Sequence, residues 1–281
     1  RTRGAILGLI GRAPAVLEAV IASNDLLRIS YLVQGIAVSR PICRLRIING
    51  NERLNGTGWM ASPTLLITNN HVLPTPQYAS HCLADFNFQE DVDLNLSTPD
   101  TFRPQPERFF YTSPQLDFTL VAMEPVNSKG ASLDDFGYLQ LIAESGKALL
   151  RENLSIIQHP GGATKHVALR NNRLIDIFDE YAYYSTDTKQ GSSGSPVFND
   201  EWQVVALHHA SIPRRDEQGR WKTLGGGIWQ ENMGEDQVDW EANEGIRISS
   251  IFAHLKAKSG WTPDEKAFLR GMGVDFFDFT V

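Results

Sequence analysis

A glycine- and serine-rich hexapeptide, Gly-Ser-Ser-Gly-Ser-Pro at residues 191–196, limits the choice of fold more than any other stretch of this sequence. Glycines allow a tight turn with positive φ, in which successive backbone N–H groups face inward beside a serine hydroxyl. Such a turn supplies a nucleophile and an oxyanion hole from a single loop. It becomes reactive only if a base and a group that orients this base come from elsewhere. Without them the hexapeptide is an ordinary loop.

A histidine and an aspartate upstream of the hexapeptide provide these two groups. His71 lies just past the second strand of a strand–turn–strand pattern whose turn is at residues 62–64. Asp117 opens a short apolar strand at residues 118–122. Taken singly, the histidine has an ordinary interpretation as a surface or core residue, and the aspartate as a turn residue. Their order along the chain, with the strand patterns around them, favours a catalytic triad.

These segments resemble the trypsin-like, chymotrypsin-fold serine proteases, particularly the bacterial branch that contains the glutamyl endopeptidases. The hexapeptide resembles the family's G-x-S-G-x-P signature, residues 56–72 its G-T-G…L-T-x-x-H-V segment, and residues 117–121 its D-[FIL]-[AT]-L-[LV] strand. The resemblance extends over roughly residues 40–258. It implies an all-β fold of two six-stranded antiparallel β-barrels with the active-site cleft between them.

The same resemblance implies a role for each site residue. Ser193, at the third position of the signature, is expected to be the nucleophile, in preference to either neighbouring serine. His71 would take its proton and later deliver it to the leaving amine, while Asp117 would fix the imidazole tautomer. The backbone N–H groups of Gly191 and Ser193 would form the oxyanion hole. This chemistry needs neither a metal nor an organic cofactor.

Substrate specificity has two competing interpretations. By position relative to Ser193, Asp187 matches the aspartate that pairs with Arg or Lys in trypsin-like enzymes, whereas Thr188 and His208 match the residues that hold the substrate carboxylate in glutamyl endopeptidases. Asp187 could also pair with His208 or face solvent. We expect cleavage after Arg or Lys, because an unneutralised carboxylate would repel an anionic substrate. The alternatives are cleavage after Glu, and a latent or inactive peptide-binding relative.

Composition and charge restrict the partners. The chain has 281 residues, of which 42% are hydrophobic, so it can bury a large core. A net charge of −7 gives no basic surface for nucleic acid. No apolar run approaches the roughly 18 residues of a membrane helix. We therefore expect a protein or peptide substrate, and neither a nucleic-acid nor a membrane partner.

The cysteine content bears on the cellular compartment. Only two cysteines occur, Cys43 and Cys82, so the chain forms at most one internal disulfide. A disulfide-stabilised secreted protein normally contains more. The sequence therefore favours the cytoplasm, although secreted bacterial relatives can also be poor in cysteine.

Three parts are predicted along the chain. They are an N-terminal helical extension (residues 1–39), a protease domain (residues 40–258, with barrel one at about 40–135, barrel two at about 136–248 and a C-terminal helix at about 249–258), and a C-terminal extension (residues 259–281). The N-terminal extension is interpreted either as a helix on the outside of the first barrel or as a link to a regulatory domain or partner. It resembles, weakly, segments of bacterial proteases coupled to signalling or defence modules.

Overall fold

The computed structural model describes residues 27–169, 172–186, 188 and 191–276. Within these ranges most of the regular structure is β, and every pair of neighbouring strands is antiparallel. The strands are β1 (Ile42–Asn49), β2 (Glu52–Met60), β3 (Leu65–Thr68), β4 (Cys82–Phe86), β5 (Asp100–Phe102), β6 (Phe110–Ser113), β7 (Phe118–Ala122), β8 (Ser155–Gln158), β9 (His166–Ala168), β10 (Arg173–Ile177), β11 (Tyr181–Ser185), β12 (Pro196–Phe198), β13 (Val204–Pro213) and β14 (Trp240–Arg247). The α-helices are α1 (Ser30–Ser39), α2 (Pro76–Ser80), α3 (Ile248–Ala257) and α4 (Pro263–Gly271).

The strands form two sheets that are separate in sequence. The first has the order β5-β4-β1-β2-β3-β7-β6 and the second β10-β11-β14-β13-β12-β8-β9. The expected all-β class with two antiparallel sheets is confirmed. Each sheet contains seven strands among the described residues, where six were expected.

In the first sheet, β3 and β7 are adjacent, with Thr68 opposite Thr119. Both strands are fully buried, as their continuous apolar sequences predict. The antiparallel register places the end of β3 beside the start of β7. Side chains that follow β3 and precede β7 therefore lie close together, which is where His71 and Asp117 are found.

In the second sheet, β12 lies between β8 and β13. The hexapeptide leads directly into β12, so its loop emerges from the interior of this sheet and not from an edge. Strands β13 and β14 form a long pair, with residues 214–239 inserted between them. This pair carries side chains that face the loop from the C-terminal half of the chain.

Helix α1 packs against the second sheet, and not against the first barrel as one interpretation expected. The Tyr31 ring stacks on Trp202 with centroids 4.6 Å apart, and its hydroxyl lies 2.8 Å from Ser155 Oγ. The indole of Trp202 donates to the carbonyl of Tyr31 at 2.9 Å. The helical segments predicted before Leu27 lie outside the described residues.

The C-terminal helices cover the core between the two sheets. Phe252 of α3 and Leu269 of α4 belong to one buried cluster with Trp59 of the first sheet and Leu207 of the second. The start of α4 is capped by Thr262, whose side chain accepts from the Glu265 N–H while the Glu265 carboxylate accepts from the Thr262 N–H. No helix among the described residues is long and apolar enough to span a membrane.

Both cysteines are buried thiols in the first sheet, on β1 and β4. Burial raises the pKa of Cys82 and that of Cys43 well above the ordinary value of a thiol, so neither forms a thiolate at neutral pH. They therefore serve as small apolar core residues.

Candidate active site

His71 and Asp117 are in direct contact. The His71 Nδ1 atom lies 2.8 Å from Asp117 Oδ2, and the His71 backbone N–H donates to Asp117 Oδ1 at 3.0 Å. Because a carboxylate only accepts, Nδ1 carries the hydrogen of the neutral ring and Nε2 keeps a lone pair. The imidazole is 48% exposed, so this lone pair is accessible to a substrate-bound group.

The backbone around Asp117 is shaped to hold this contact. Asp117 has a φ of 48°, in the left-handed region that non-glycine residues rarely adopt. The side-chain amide of Asn69 donates to the Asp117 carbonyl at 2.9 Å. Burial alone would raise the pKa of the Asp117 carboxyl, but hydrogen bonds from His209 and His71 lower it to about 2. The carboxylate is thus charged at any physiological pH.

The glycine–serine loop (residues 191–196) presents one serine hydroxyl to solvent. Ser193 is partly exposed, whereas Ser192 and Ser195 are buried. The Ser195 hydroxyl donates to the Ser192 carbonyl at 2.6 Å. Gly191 and Gly194 bend the loop with φ values of +92° and +88°. Of the three serines, Ser193 is therefore the one whose hydroxyl a substrate can reach.

Thr57, on β2 of the first sheet, holds this loop in place through hydrogen bonds. Its N–H donates to the Ser193 carbonyl at 2.9 Å, and its hydroxyl donates to the Gly191 carbonyl at 2.9 Å. The Thr57 carbonyl accepts from the Thr68 hydroxyl at 2.8 Å, at the end of the strand that leads to His71. The loop of the second sheet is thereby tied to the first sheet beside the His71–Asp117 pair.

The backbone N–H groups of Gly191 and Ser193 donate to no other group in the part of the chain that the structure describes. The same ranges contain no hydrogen bond between Ser193 Oγ and His71. Catalytic hydrogen bonds of this kind often form fully only around a bound substrate.

His209 is a third member of the Asp117 site that sequence analysis missed. Its Nδ1 lies 3.1 Å from Asp117 Oδ2, the oxygen that His71 also contacts, and its Nε2 lies 2.7 Å from Glu244 Oε1. The only sequence signal was the adjacent pair His208-His209, of which just the first was weighed. The partner Glu244 carried no signal, because it meets His209 only through the register of β13 and β14.

The predicted specificity residues lie in two different settings. The Thr188 hydroxyl donates to Asn243 Oδ1 at 2.8 Å, and the Ser211 hydroxyl donates to the same oxygen at 2.7 Å. His208 is buried, with Nδ1 2.8 Å from the Tyr184 hydroxyl. Asp187 lies outside the described residues. Ser211 and Asn243 were not foreseen, since they share a wall with Thr188 only after β13 and β14 pair.

Burial keeps His208 neutral. Desolvation, helped by the charges of His209 and His71, lowers the pKa of His208 to about 3. His159, which directly follows β8, is likewise buried, and burial lowers its pKa to about 3. Its Nδ1 lies 3.0 Å from the Ala163 carbonyl, and it precedes a short 3₁₀ turn.

The sequence matches the model of the trypsin-like peptidase domain over residues 56–207, more than half of the chain. The chain belongs to the trypsin-like peptidase family. The matched segment contains His71, Asp117 and Ser193. It is therefore a serine-protease domain of the hydrolase class.

Curated relatives place this trypsin-like domain in longer proteins. Uncharacterized protein y4fB of Sinorhizobium fredii is 38% identical over 262 residues, 86% of this chain and 40% of that protein. Secreted RxLR effector protein 73 of Plasmopara viticola is 32% identical over 188 residues, 61% of this chain and 45% of that protein. A glutamyl endopeptidase of Staphylococcus aureus is 21% identical over 199 residues, 70% of this chain and 58% of that protein. The chain spans less than half the length of the first two.

Solved structures show the fold. The active form of the Rv3671c protease from M. tuberculosis superposes with a TM-score of 0.52 at 15% identity, covering 87% of this chain and 96% of that one. An inactivated protease paralogue of the scabies mite superposes with a TM-score of 0.54 at 12% identity, covering 78% and 94%. The chymotrypsin-like two-barrel fold thus occurs in both an active and an inactivated protease, so the residues of the site, and not the fold, determine activity.

Proposed function

We propose that this trypsin-like domain is a serine endopeptidase in which Ser193 is the nucleophile, His71 the general base and Asp117 the orienting carboxylate. The observation that carries this proposal is the 2.8 Å contact between His71 and Asp117 next to a loop whose single accessible hydroxyl is that of Ser193. Family membership implies a protein or peptide substrate.

The chemistry follows from these atoms. Ser193 Oγ attacks the scissile carbonyl carbon while its proton passes to Nε2 of His71. The N–H groups of Gly191 and Ser193 stabilise the oxyanion that forms, and losing one such donor typically costs about 3–4 kcal/mol of barrier. The imidazolium, stabilised by Asp117, then protonates the leaving amine. Water, activated by the same imidazole, releases the acyl group from Ser193.

For specificity we propose cleavage after Arg or Lys. The Asn243 side-chain N–H donates to the Thr186 carbonyl at 2.5 Å, and since that carbonyl only accepts, the amide orientation is fixed with Oδ1 toward Thr188 and Ser211. Both hydroxyl protons are therefore donated to Asn243. Their remaining lone pairs form an acceptor array, which suits the N–H groups of a cationic side chain. Asp187 would add a negative charge.

Cleavage after Glu is the second candidate. If the Tyr184 hydroxyl donates to Nδ1 of His208, the imidazole hydrogen lies on Nε2 and can donate to a carboxylate. Similarity to a glutamyl endopeptidase of S. aureus favours the same candidate. Against it, His208 is buried and neutral, so before substrate binds it contributes no charge that attracts an anion.

A peptide library read by mass spectrometry tests activity and specificity together. The wild type should cut after Arg or Lys, Asp187→Ser should lose that preference, and Ser193→Ala should cut nothing. Asn243→Asp, which adds a carboxylate to the acceptor array, should favour basic residues further. Cleavage after Glu that survives Asp187→Ser and disappears in His208→Ala would establish the second candidate instead.

We propose that the N-terminal segment, including α1, links the domain to a regulatory domain or partner, on the basis of its helical pattern. The low cysteine content supports a cytoplasmic site of action, with secretion as the alternative.

A further inference from the structure

We propose that His209, held as an imidazolium between Asp117 and Glu244, is a positioning residue that orients the Asp117 carboxylate and sets the pH range in which His71 acts as a base. This inference rests on the proposed serine-protease function. It assigns a role to His209, the second histidine that contacts Asp117, and to Glu244, which contacts the other nitrogen of the His209 ring.

The contacts themselves define the protonation of His209. Its Nδ1 faces Asp117 Oδ2 at 3.1 Å and its Nε2 faces Glu244 Oε1 at 2.7 Å. Both partners are carboxylates, which accept and cannot donate when ionised. A neutral ring would set one nitrogen lone pair against a carboxylate oxygen. Both nitrogens are therefore protonated, and the ring carries a positive charge.

The surroundings shield this charge from water and support it. The His209 side chain is 14% exposed, and its ring stacks on that of Tyr181 with centroids 5.6 Å apart. Although burial opposes the charge, the two carboxylates raise the pKa of His209 to about 9. The Tyr183 hydroxyl, whose pKa is raised to about 12 by burial and by Glu244, hydrogen-bonds to Glu244 from the neighbouring strand.

A β-bulge brings His209 to this place. In the pairing of β13 with β14, His208 lies opposite Gly245 and Ala210 lies opposite Glu244, so His209 is an extra residue without a partner in the ladder. A bulge re-aims the side chain at the irregular position. Here it turns His209 toward Asp117, while His208 faces the buried Tyr184.

The consequence for His71 is electrostatic. His71 and His209 share one carboxylate oxygen, so the His209 charge lies within a few ångströms of the ring that must accept the Ser193 proton. The His209 imidazolium repels the positive charge that the His71 ring gains when it takes the Ser193 proton, whereas the Glu244 charge acts in the opposite sense. The charged and titratable groups around His209 are Asp117 and Glu244, which contact it, Tyr181, which stacks on it, and His71 and His208, which lie close enough to feel its charge. Tyr183 acts through Glu244, while Glu180 and Asp176 act on the two tyrosines.

The test measures the rate of Ser193 labelling by a fluorophosphonate as a function of pH, which needs no knowledge of the substrate. His209→Asn keeps a neutral donor at the position of Nδ1, so we expect labelling to persist with its acid-side midpoint raised by about one pH unit. Glu244→Gln removes the opposing charge and should lower the midpoint. His209→Leu removes the donor as well, and should slow labelling by about 10- to 100-fold.

A structural role alone would lower the folded fraction without moving the midpoint. Identical midpoints in wild type, His209→Asn and Glu244→Gln would therefore overturn the proposal. Nitrogen-15 NMR of the histidine rings in the Ser193→Ala protein gives an independent reading: both His209 nitrogens should be protonated at pH 7, and a neutral ring there contradicts the proposal. Absence of labelling in the wild type would refute the protease function, while the NMR result would still decide the state of His209.

Discussion

The backbone N–H of Thr57 donates to the carbonyl of Ser193 across 2.9 Å, joining the centre of the first sheet to the glycine–serine loop of the second. The Thr57 hydroxyl adds two bonds, donating to the Gly191 carbonyl at 2.9 Å and accepting from the His159 N–H at 3.1 Å. One buried side chain therefore fixes the two halves of the proposed site relative to each other.

Replacing Thr57 by Val should weaken the contact between the first sheet and the glycine–serine loop while nearly preserving the size and shape of the side chain. The backbone bond to Ser193 remains, but the Gly191 carbonyl and the His159 N–H lose their partner in a buried place. Each such loss costs about 1–3 kcal/mol of unfolding free energy. Urea denaturation measures the cost, and fluorophosphonate labelling should slow as well. Thr57→Ser keeps the hydroxyl and is the control; equal losses in both variants would contradict the role given to the hydroxyl.

Gly194→Ala should be far more damaging than the same change at another glycine of similar conformation. A Cβ on Gly194 would overlap the Thr57 carbonyl oxygen and the Thr68 hydroxyl, in addition to straining a φ of +88°. Gly219 has a φ of +79° but nothing within 4 Å of its Cβ position. We expect Gly219→Ala to cost only about 1–2 kcal/mol of stability. Thermal denaturation of both variants compares them, and comparable melting temperatures would show that the close approach at Gly194 is unimportant.

His209 should make stability depend on pH in a defined window. Its pKa is raised to about 9 in the folded chain from about 6.5 when unfolded, so its stabilising contribution is complete below about pH 6.5 and disappears as pH rises through about 9. Burial lowers the pKa of Lys165 to about 8, which gives the opposite slope above that pH in every variant. Because Lys165 contributes equally to both proteins, its effect cancels in the difference in unfolding free energy between wild type and His209→Asn. This difference should shrink from pH 6.5 to pH 9, and a constant difference would mean that His209 is not charged.

Local sequence patterns and the family resemblance predict much of the fold and part of the candidate site. The apolar runs at residues 65–68 and 118–122 were recognisable as buried strands, and the antiparallel class was confirmed. Other features depend on how distant strands pair and could not be predicted from local sequence. His209 reaches Asp117 through a bulge, and Asn243 meets Ser211 only across two paired strands. In the sequence, Thr57 was recognisable only as part of a family motif. Its four hydrogen bonds could not be predicted, because they depend on how the two sheets pack against each other.

The central claim, that Ser193 is a nucleophile driven by His71, is tested most directly by fluorophosphonate labelling followed by mass spectrometry of the labelled peptide. The wild type should carry the phosphonyl group on Ser193. Ser193→Ala should not be labelled, Ser195→Ala should retain labelling if folded, and His71→Ala should label slower by several powers of ten, since loss of the triad histidine typically costs about 10⁶-fold in turnover. A label found on Ser195, or a folded wild type that takes up none, would contradict the account.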